Sequence, residues 1–572
     1  MTKSAGSSGP LRGFGPSGVL DPTIYAYLGV PGLLALGTVL AIVSLTFYHL
    51  WRRDQRLRHL PPKVPGFPII NQTLYHMQDD LATNAIKWTR EYGEIYRTRT
   101  GMTDWIWLNS GEAVKEIIDR KSSIYSSRLI SPMGFEAASG GRRVVFMPRG
   151  KKWRTIRGII HKLLTPKAAK SYAPIQTFEA KQLSVDLLNS PQDFYMHNRR
   201  YTASLILQIT YGRRLPKFEC EEMHKIFEVL IRFGQIRRPG QWLVDSFPSL
   251  ANFPPFDLVS NWRQFGKECH LKDSKIWMDL WTRMRQEIEA GTAPHSFGKG
   301  FVHSDWAEKG LDELQAAYVL GTMIEAGSET TSVQLNNTLV GILSRGREVV
   351  KAAQAELDRV VGSDRTPTFE DEENLPYIRA MVKEVNRWRF VNKFGTNHYA
   401  TEEGWYKGYF IPKGSVVMIN IWGLHYDPKR FPDPEKYEPM RYYNHKLSAA
   451  ESVAAGDPDL RDHWTYGGGR RICPGMHVAE RSLFLNIARL MWGFDVRHAK
   501  DANGVDIPVD STFTGMVPGA TAAPIPFKCD IRVRSPKHER ILRQEWMDAQ
   551  AEGLKLEEIN FGDGVVEEDI KA

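Results

Sequence analysis

The sequence predicts a mainly α-helical protein with small β-sheets, preceded by a single N-terminal transmembrane helix. Three observations predict it. Apolar residues recur at helical spacing over long stretches, above all 170–290 and Leu311 to Arg345. Alternating runs rich in β-formers are few and short: Glu94 to Thr100, Thr103 to Leu108, and a strand pair around Pro412-Lys-Gly414 within Gly408 to Asn420. From Ile24 to Leu50 there is no Asp, Glu, Lys or Arg.

Residues 1–23 are rich in Gly, Ser and Pro and read as a disordered lead. A helix over 24–50 would be roughly 40 Å long, enough to span a bilayer with tilt, with Pro31 and Gly32 as a kink. Arg52, Arg53, Arg56 and Arg58 outnumber Lys3 and Arg12 on the other side. The excess keeps the body cytosolic and sends the N-terminus to the lumen. Residues 51–68 form a basic, proline-rich hinge, stiffened by Leu60-Pro-Pro-Lys-Val-Pro-Gly-Phe-Pro68. The body runs over 69–550 and a loose acidic tail over 551–572.

Within the body, helices are predicted at 80–93, at 111–119, from Lys151, at Leu375 to Arg389 and from Met476. Residues 122–148, with Gly134, Gly140 and Gly141, read mainly as a loop able to close over a pocket. The 170–290 stretch breaks at Pro239-Gly240 and around Pro248 to Pro255. Thr512 to Pro518 is a candidate pocket loop.

The 572 residues carry a net charge of +9 without a long basic tract, so nucleic acid is not a predicted partner. Cys220, Cys269, Cys473 and Cys529 are far apart, which suggests neither a zinc site nor a disulfide framework. A reducing, cytosol-facing compartment fits.

Cys473 stands in Tyr466-Gly-Gly-Gly-Arg-Arg-Ile-Cys-Pro-Gly475. Glycines permit a tight loop, and Arg470 and Arg471 favour thiolate over thiol. The pattern Met476, Ala479, Leu483, Ile487, Leu490 then starts a helix, whose N-terminal N–H groups and dipole also favour a thiolate. The alternative is a buried structural cysteine beside a Gly-rich turn. Trp153 and Arg157 are four apart and share a helix face. In Glu325-Ala-Gly-Ser-Glu-Thr-Thr331, Gly327 makes room for a close approach. The Thr330 hydroxyl can bond back to a carbonyl or swing toward a ligand, and the Glu329 carboxylate can pass protons. Glu325 can face solvent, a partner helix or the pocket. Glu384 and Arg387 share a helix face, with Arg441 downstream.

These motifs, in this order over about residues 60–550, resemble the cytochrome P450 family. The Cys473 loop is similar to its haem-thiolate loop at every place except Tyr466, where Phe is usual. Trp153 and Arg157 resemble the family's Trp-x-x-x-Arg. Ala326, Gly327, Glu329 and Thr330 occupy the places of its central-helix motif. Glu384, Arg387 and Pro439-x-Arg441 match its charge lock. The resemblance implies the cytochrome P450 fold and haem b, with Cys473 as axial iron ligand. Trp153, Arg157, His398 and Arg471 would hold the propionates, and Glu329 and Thr330 would steer protons. Asn392, Lys393 and Phe394 fall where the family lines its pocket, and Lys393 is a candidate partner for a substrate carboxylate or carbonyl. Lys151, Lys152 and Arg154 are candidates for meeting an acidic redox partner.

The implied function is a monooxygenase of the endoplasmic reticulum membrane. It would take NADPH electrons through a separate NADPH–cytochrome P450 reductase, with cytochrome b5 as a second candidate partner. Details such as Glu325 to Ser332 are similar to filamentous-fungal P450s of secondary metabolism, which points to a small-molecule substrate: an alkaloid, aromatic polyketide, terpenoid or aromatic acid. Two other readings are a P450-fold isomerase or dehydratase that does not use dioxygen, and a non-catalytic membrane haem-binding protein.

Overall fold

The computed structural model describes residues 32, 34–46, 55–67, 72, 81–238, 240–393 and 395–561. Two units result, one of residues 1–60 and 407–410, the other of 61–406 and 411–572. In the first, 34–46 is helical and Leu34, Val39, Leu40, Ile42, Val43 and Leu45 are exposed. Most of the expected span flanking this helix lies outside the described residues. Among the described residues no helix is long and apolar enough to cross a membrane.

The second unit is built mainly of helices. Phe194–Tyr211, Glu313–Gly327, Thr330–Arg345, Pro376–Trp388 and Met476–Gly493 share one apolar core. Met476–Gly493 contributes Leu483, Ile487, Met491 and Trp492, all buried, as its apolar spacing requires. A four-stranded sheet flanks the helices. Ile95–Thr100 and Thr103–Leu108 pair antiparallel, with Ile95 opposite Leu108. Val416–Ile419, expected as half of a local strand pair, instead runs parallel to Thr103–Leu108 and antiparallel to His398–Tyr399. All four of its residues are buried, so it needs a neighbour on each side. This register places His398 opposite Val417. Phe494–His498 and Cys529–Val533 form a second antiparallel pair.

Three further expectations are corrected. The helix expected unbroken from Leu311 to Arg345 is two helices, interrupted at Ser328 and Glu329. Side-chain hydroxyls take two carbonyls near the break. Thr202 Oγ1 donates to the Ser328 carbonyl at 2.6 Å, and Thr330 Oγ1 to that of Ala326 at 2.9 Å. The 122–148 loop contains a short helix, Ser122–Tyr125, and a wide turn, Pro132–Ala137. The tail expected loose from 551 is packed through Phe561. Ile559 and Phe561 are apolar anchors inside an acidic run, and the Phe561 ring lies 5.7 Å from that of Tyr172. Residues 562–572 lie outside the described set.

Candidate functional site

The Cys473 loop is a tight turn clamped at both ends. Gly467 and Gly469 adopt left-handed backbone, with φ of +73° and +57°. At Gly469 the need is also steric, since a Cβ would stand 2.3 Å from the Ile118 carbonyl oxygen. The Gly469 N–H donates to Asp119 Oδ1 at 2.7 Å, and the Cys473 N–H closes the loop on the Tyr466 carbonyl at 2.8 Å. The partly exposed Cys473 sits where the Met476–Gly493 helix begins, with the N–H groups of Gly475 and Met476 close to its sulfur. Burial pushes the Cys473 thiol up; these two N–H groups and the Arg157 charge pull it back in part.

Arginines gather beside this loop. Arg157, on the helix Lys151–Leu163, donates to the Ile472 carbonyl. Arg471 donates to the carbonyls of Ser126 at 2.7 Å and Met147 at 2.8 Å, and its guanidinium lies 3.9 Å from the Trp153 ring centroid. Buried Arg128 donates to the carbonyls of Val145 and Asn397. His398, also buried, sets Nδ1 2.7 Å from the Tyr125 carbonyl. Among the described residues, these three arginines have only carbonyls as hydrogen-bond acceptors. Burial and the neighbouring cations therefore push Arg471 down to about 8 and Arg128 to about 9. His398 falls to about 3 through burial and the charges of Arg128 and Arg471.

A group bearing two carboxylates would relieve that repulsion, and a soft metal would suit the sulfur beside it. Haem matches both requirements. Trp153, Arg157, His398, Arg471 and Cys473, widely spaced in the sequence, are thus drawn together. Arg128 joins them unannounced, because it sits in a loop without periodicity or motif.

Glu329 lies in the interruption of the central helix, and its carboxylate is 3.6 Å from Arg199. Burial raises its pKa and the Arg199 charge partly offsets this. Ala326 and Thr330, four apart, are exposed on a helix pair otherwise largely buried, which marks an open stripe there. Gly327 permits the approach of Phe194–Tyr211, since a Cβ would fall 2.6 Å from Ile206 Cγ1. Glu325, left open above, is buried and accepts from Arg143 Nε at 3.0 Å; the same guanidinium reaches Asp273 at 2.6 Å.

Glu384 and Arg387 are fully buried and paired through two bonds of 2.7 Å, with Arg441 Nε 3.4 Å from Glu384. Asn392 Nδ2 donates to the Gly395 carbonyl at 2.9 Å. Buried Lys393 donates its ammonium to the Val517 carbonyl at 2.5 Å, tying it to the 512–518 loop. Phe394 lies outside the described residues.

A family model described as cytochrome P450 matches residues 60–518. The chain is 42% identical over 527 residues to cytochrome P450 monooxygenase verL of Clonostachys rogersoniana, covering 91% of this chain and 96% of that one. It is 36% identical to cytochrome P450 monooxygenase pgmC of Aspergillus terreus, covering 88% and 92%, and 36% identical to cytochrome P450 monooxygenase virE of Hypocrea virens, covering 87% and 90%. With a cysteine at a helix start, a cluster of cations lacking carboxylate partners beside it and this match across most of its length, the chain belongs to the cytochrome P450 family and is an oxidoreductase of the monooxygenase type.

Proposed function

We propose that the chain inserts one oxygen atom of dioxygen into an organic secondary metabolite, using NADPH electrons delivered by a separate NADPH–cytochrome P450 reductase. Cytochrome b5 is a candidate second donor. The observation that carries the reading is the Cys473 sulfur, placed at the start of the Met476–Gly493 helix beside the carbonyl-bonded arginines. Haem bound there would supply dioxygen activation, with thiolate ligation favouring O–O cleavage.

The chain's own residues do the rest. Arg128, Arg157, Arg471 and His398 would hold the propionates, while the Trp153 ring lies against the Arg471 guanidinium. Thr330 Oγ1, now bonded to Ala326, can exchange that bond for a water or a ligand oxygen. Glu329, with its raised pKa, can hold and return a proton one residue away. The bound Arg199 guanidinium keeps the Glu329 carboxylate from drifting.

The exposed apolar helix at 34–46, followed by the Arg52 to Arg58 cluster, supports a single-pass anchor in the endoplasmic reticulum with a cytosolic body. Recovery of the full chain in the microsomal pellet, and its release on removing residues 1–50, are expected.

Reduced full-length protein under carbon monoxide is expected to show the red-shifted thiolate band. Cys473→Ser is expected to lose the band, and product formation should require NADPH and reductase. Native protein without the band would overturn the haem-thiolate reading. Turnover without NADPH would favour the isomerase or dehydratase reading instead.

A further inference from the structure

The break at Ser328 and Glu329 is held from two sides. On one side the helix Phe194–Tyr211 supplies Thr202 Oγ1, 2.6 Å from the Ser328 carbonyl, and Ile206, packed into the space left by Gly327. On the other side stands Arg143, from the 122–148 loop. Its Nε donates to Glu325 Oε1 at 3.0 Å, and its Nη2 lies 2.9 Å from the same oxygen. Glu325 is in the last turn of Glu313–Gly327, directly before Ala326, whose carbonyl takes the Thr330 hydroxyl at 2.9 Å.

Arg143 is a fixed point in the interior, only 1% exposed. Nη1 donates to the Ala138 carbonyl at 3.1 Å within its own loop, and Nη2 to Asp273 Oδ2 at 2.6 Å. Arg232 Nε takes the other Asp273 oxygen at 2.7 Å. Two guanidinium groups and two carboxylates are thus matched, and each buried charge depends on its partners staying in place. The loop comes this close because it meets the helix Trp262–Glu289 through glycines. A Cβ at Gly140 would stand 2.6 Å from His270 Nε2, and one at Gly266 2.6 Å from Ala137 Cβ. Arg142, next along the loop, reaches Asp312, the N-cap of Glu313–Gly327, at 2.6 Å. Adjacent arginines therefore hold the two ends of that helix.

The same loop is laced to the Cys473 site. Its Ser126 and Met147 carbonyls accept from Arg471, and its Arg128 donates to the Val145 carbonyl nearby. One segment thus meets the cation cluster near its ends and the central helix through Arg142 and Arg143.

We propose that Arg143 is a positioning residue for proton delivery. Through Glu325 it fixes the turn that carries Ala326, Glu329 and Thr330, and so ties the setting of that turn to the seating of the 122–148 loop on the Cys473 site. The inference rests on the haem-thiolate reading and names a further residue on which that same site depends.

The test needs no substrate, because dioxygen and NADPH alone report where protons go. One dioxygen, one NADPH and one proton give hydrogen peroxide and NADP+. Protons brought to a single oxygen atom let it leave as water instead; one dioxygen, two NADPH and two protons then give two waters and two NADP+. Full-length holoenzyme with reductase is assayed for NADPH consumed, dioxygen consumed and peroxide formed. Arg143→Met with Glu325→Leu removes the tie and leaves Asp273 paired with Arg232, so no buried charge is orphaned. Its ratio of water to peroxide is expected to fall about tenfold, the scale on which proton transfer suffers when its groups are misplaced. Amide hydrogen exchange over residues 326–333 is expected to quicken, with the carbon monoxide band retained. Arg143→Lys keeps the charge without the fork and is expected to fall between; it carries the test if the double variant holds no haem. Arg142→Ala cuts only the tie to exposed Asp312 and is expected to match native. A native ratio and native exchange in both Arg143 variants overturn the proposal. So does an equal fall in Arg142→Ala, which would assign the effect to loop seating in general. Native protein without the carbon monoxide band, or without NADPH-dependent dioxygen uptake, would instead sink the haem-thiolate reading itself.

Discussion

Glu384→Gln tests whether the buried ion pair holds this fold together. The five N–H donors of Arg387 are all taken. Nε and one Nη2 hydrogen go to Glu384, both at 2.7 Å; Nη1 reaches the carbonyls of His425 and Pro434, both at 2.9 Å; the remaining Nη2 hydrogen reaches that of Lys436 at 3.1 Å. Glu384 in turn accepts the Glu438 N–H at 2.8 Å. A glutamine has one acceptor oxygen and turns an NH2 toward a guanidinium donor. Two charge-assisted bonds are lost or weakened, and Arg387, at 0% side-chain exposure, keeps a charge without its counterion. The expected cost is about 3–5 kcal/mol. A well-packed apolar pair, Glu384→Leu with Arg387→Met, leaves no orphan charge and is expected to cost less than the sum of the two single changes. The assay is denaturant unfolding of holoenzyme, followed by both the haem–thiolate absorbance and far-UV circular dichroism. A Glu384→Gln protein within about 1 kcal/mol of native would show that the pair is dispensable, and the reasoning would fail.

Two more predictions concern the proximal loop and its helix. Gly469→Ala forces a left-handed alanine and sets its Cβ against the Ile118 carbonyl, so purified protein is expected to hold much less haem than native; full occupancy would contradict the clash. Glu480 is pushed up to about 7, first by burial and then by the Asp462 charge, with Lys383 opposing. The folded state therefore binds this proton more tightly than the unfolded chain. Stability falls as pH rises from about 4.5 to about 7, by up to about 3 kcal/mol, and stays lowered above that. Glu480→Gln is expected to melt higher than native at pH 8 and close to it at pH 5. Parallel melting curves at both pH values would refute the assignment.

What sequence spacing revealed, and what it hid, follows from how far apart the contacting residues lie. The Cys473 loop could be read because its chemistry is local: glycines, a sulfur and a helix start within ten residues. The main helices were readable by period for the same reason. Arg143 reaches Glu325 across 182 positions, and no pattern around either residue marks the other as its partner. The interruption of the central helix depends on Thr202, 126 positions from the carbonyl it takes. Lys393 looked unusual in an apolar setting because its acceptor, the Val517 carbonyl, lies 124 positions away. Each of these is a buried polar group whose partner is chosen by packing, since leaving it unpaired would cost about 1–3 kcal/mol. Lys393, the cation singled out by sequence, is spent on the protein's own backbone.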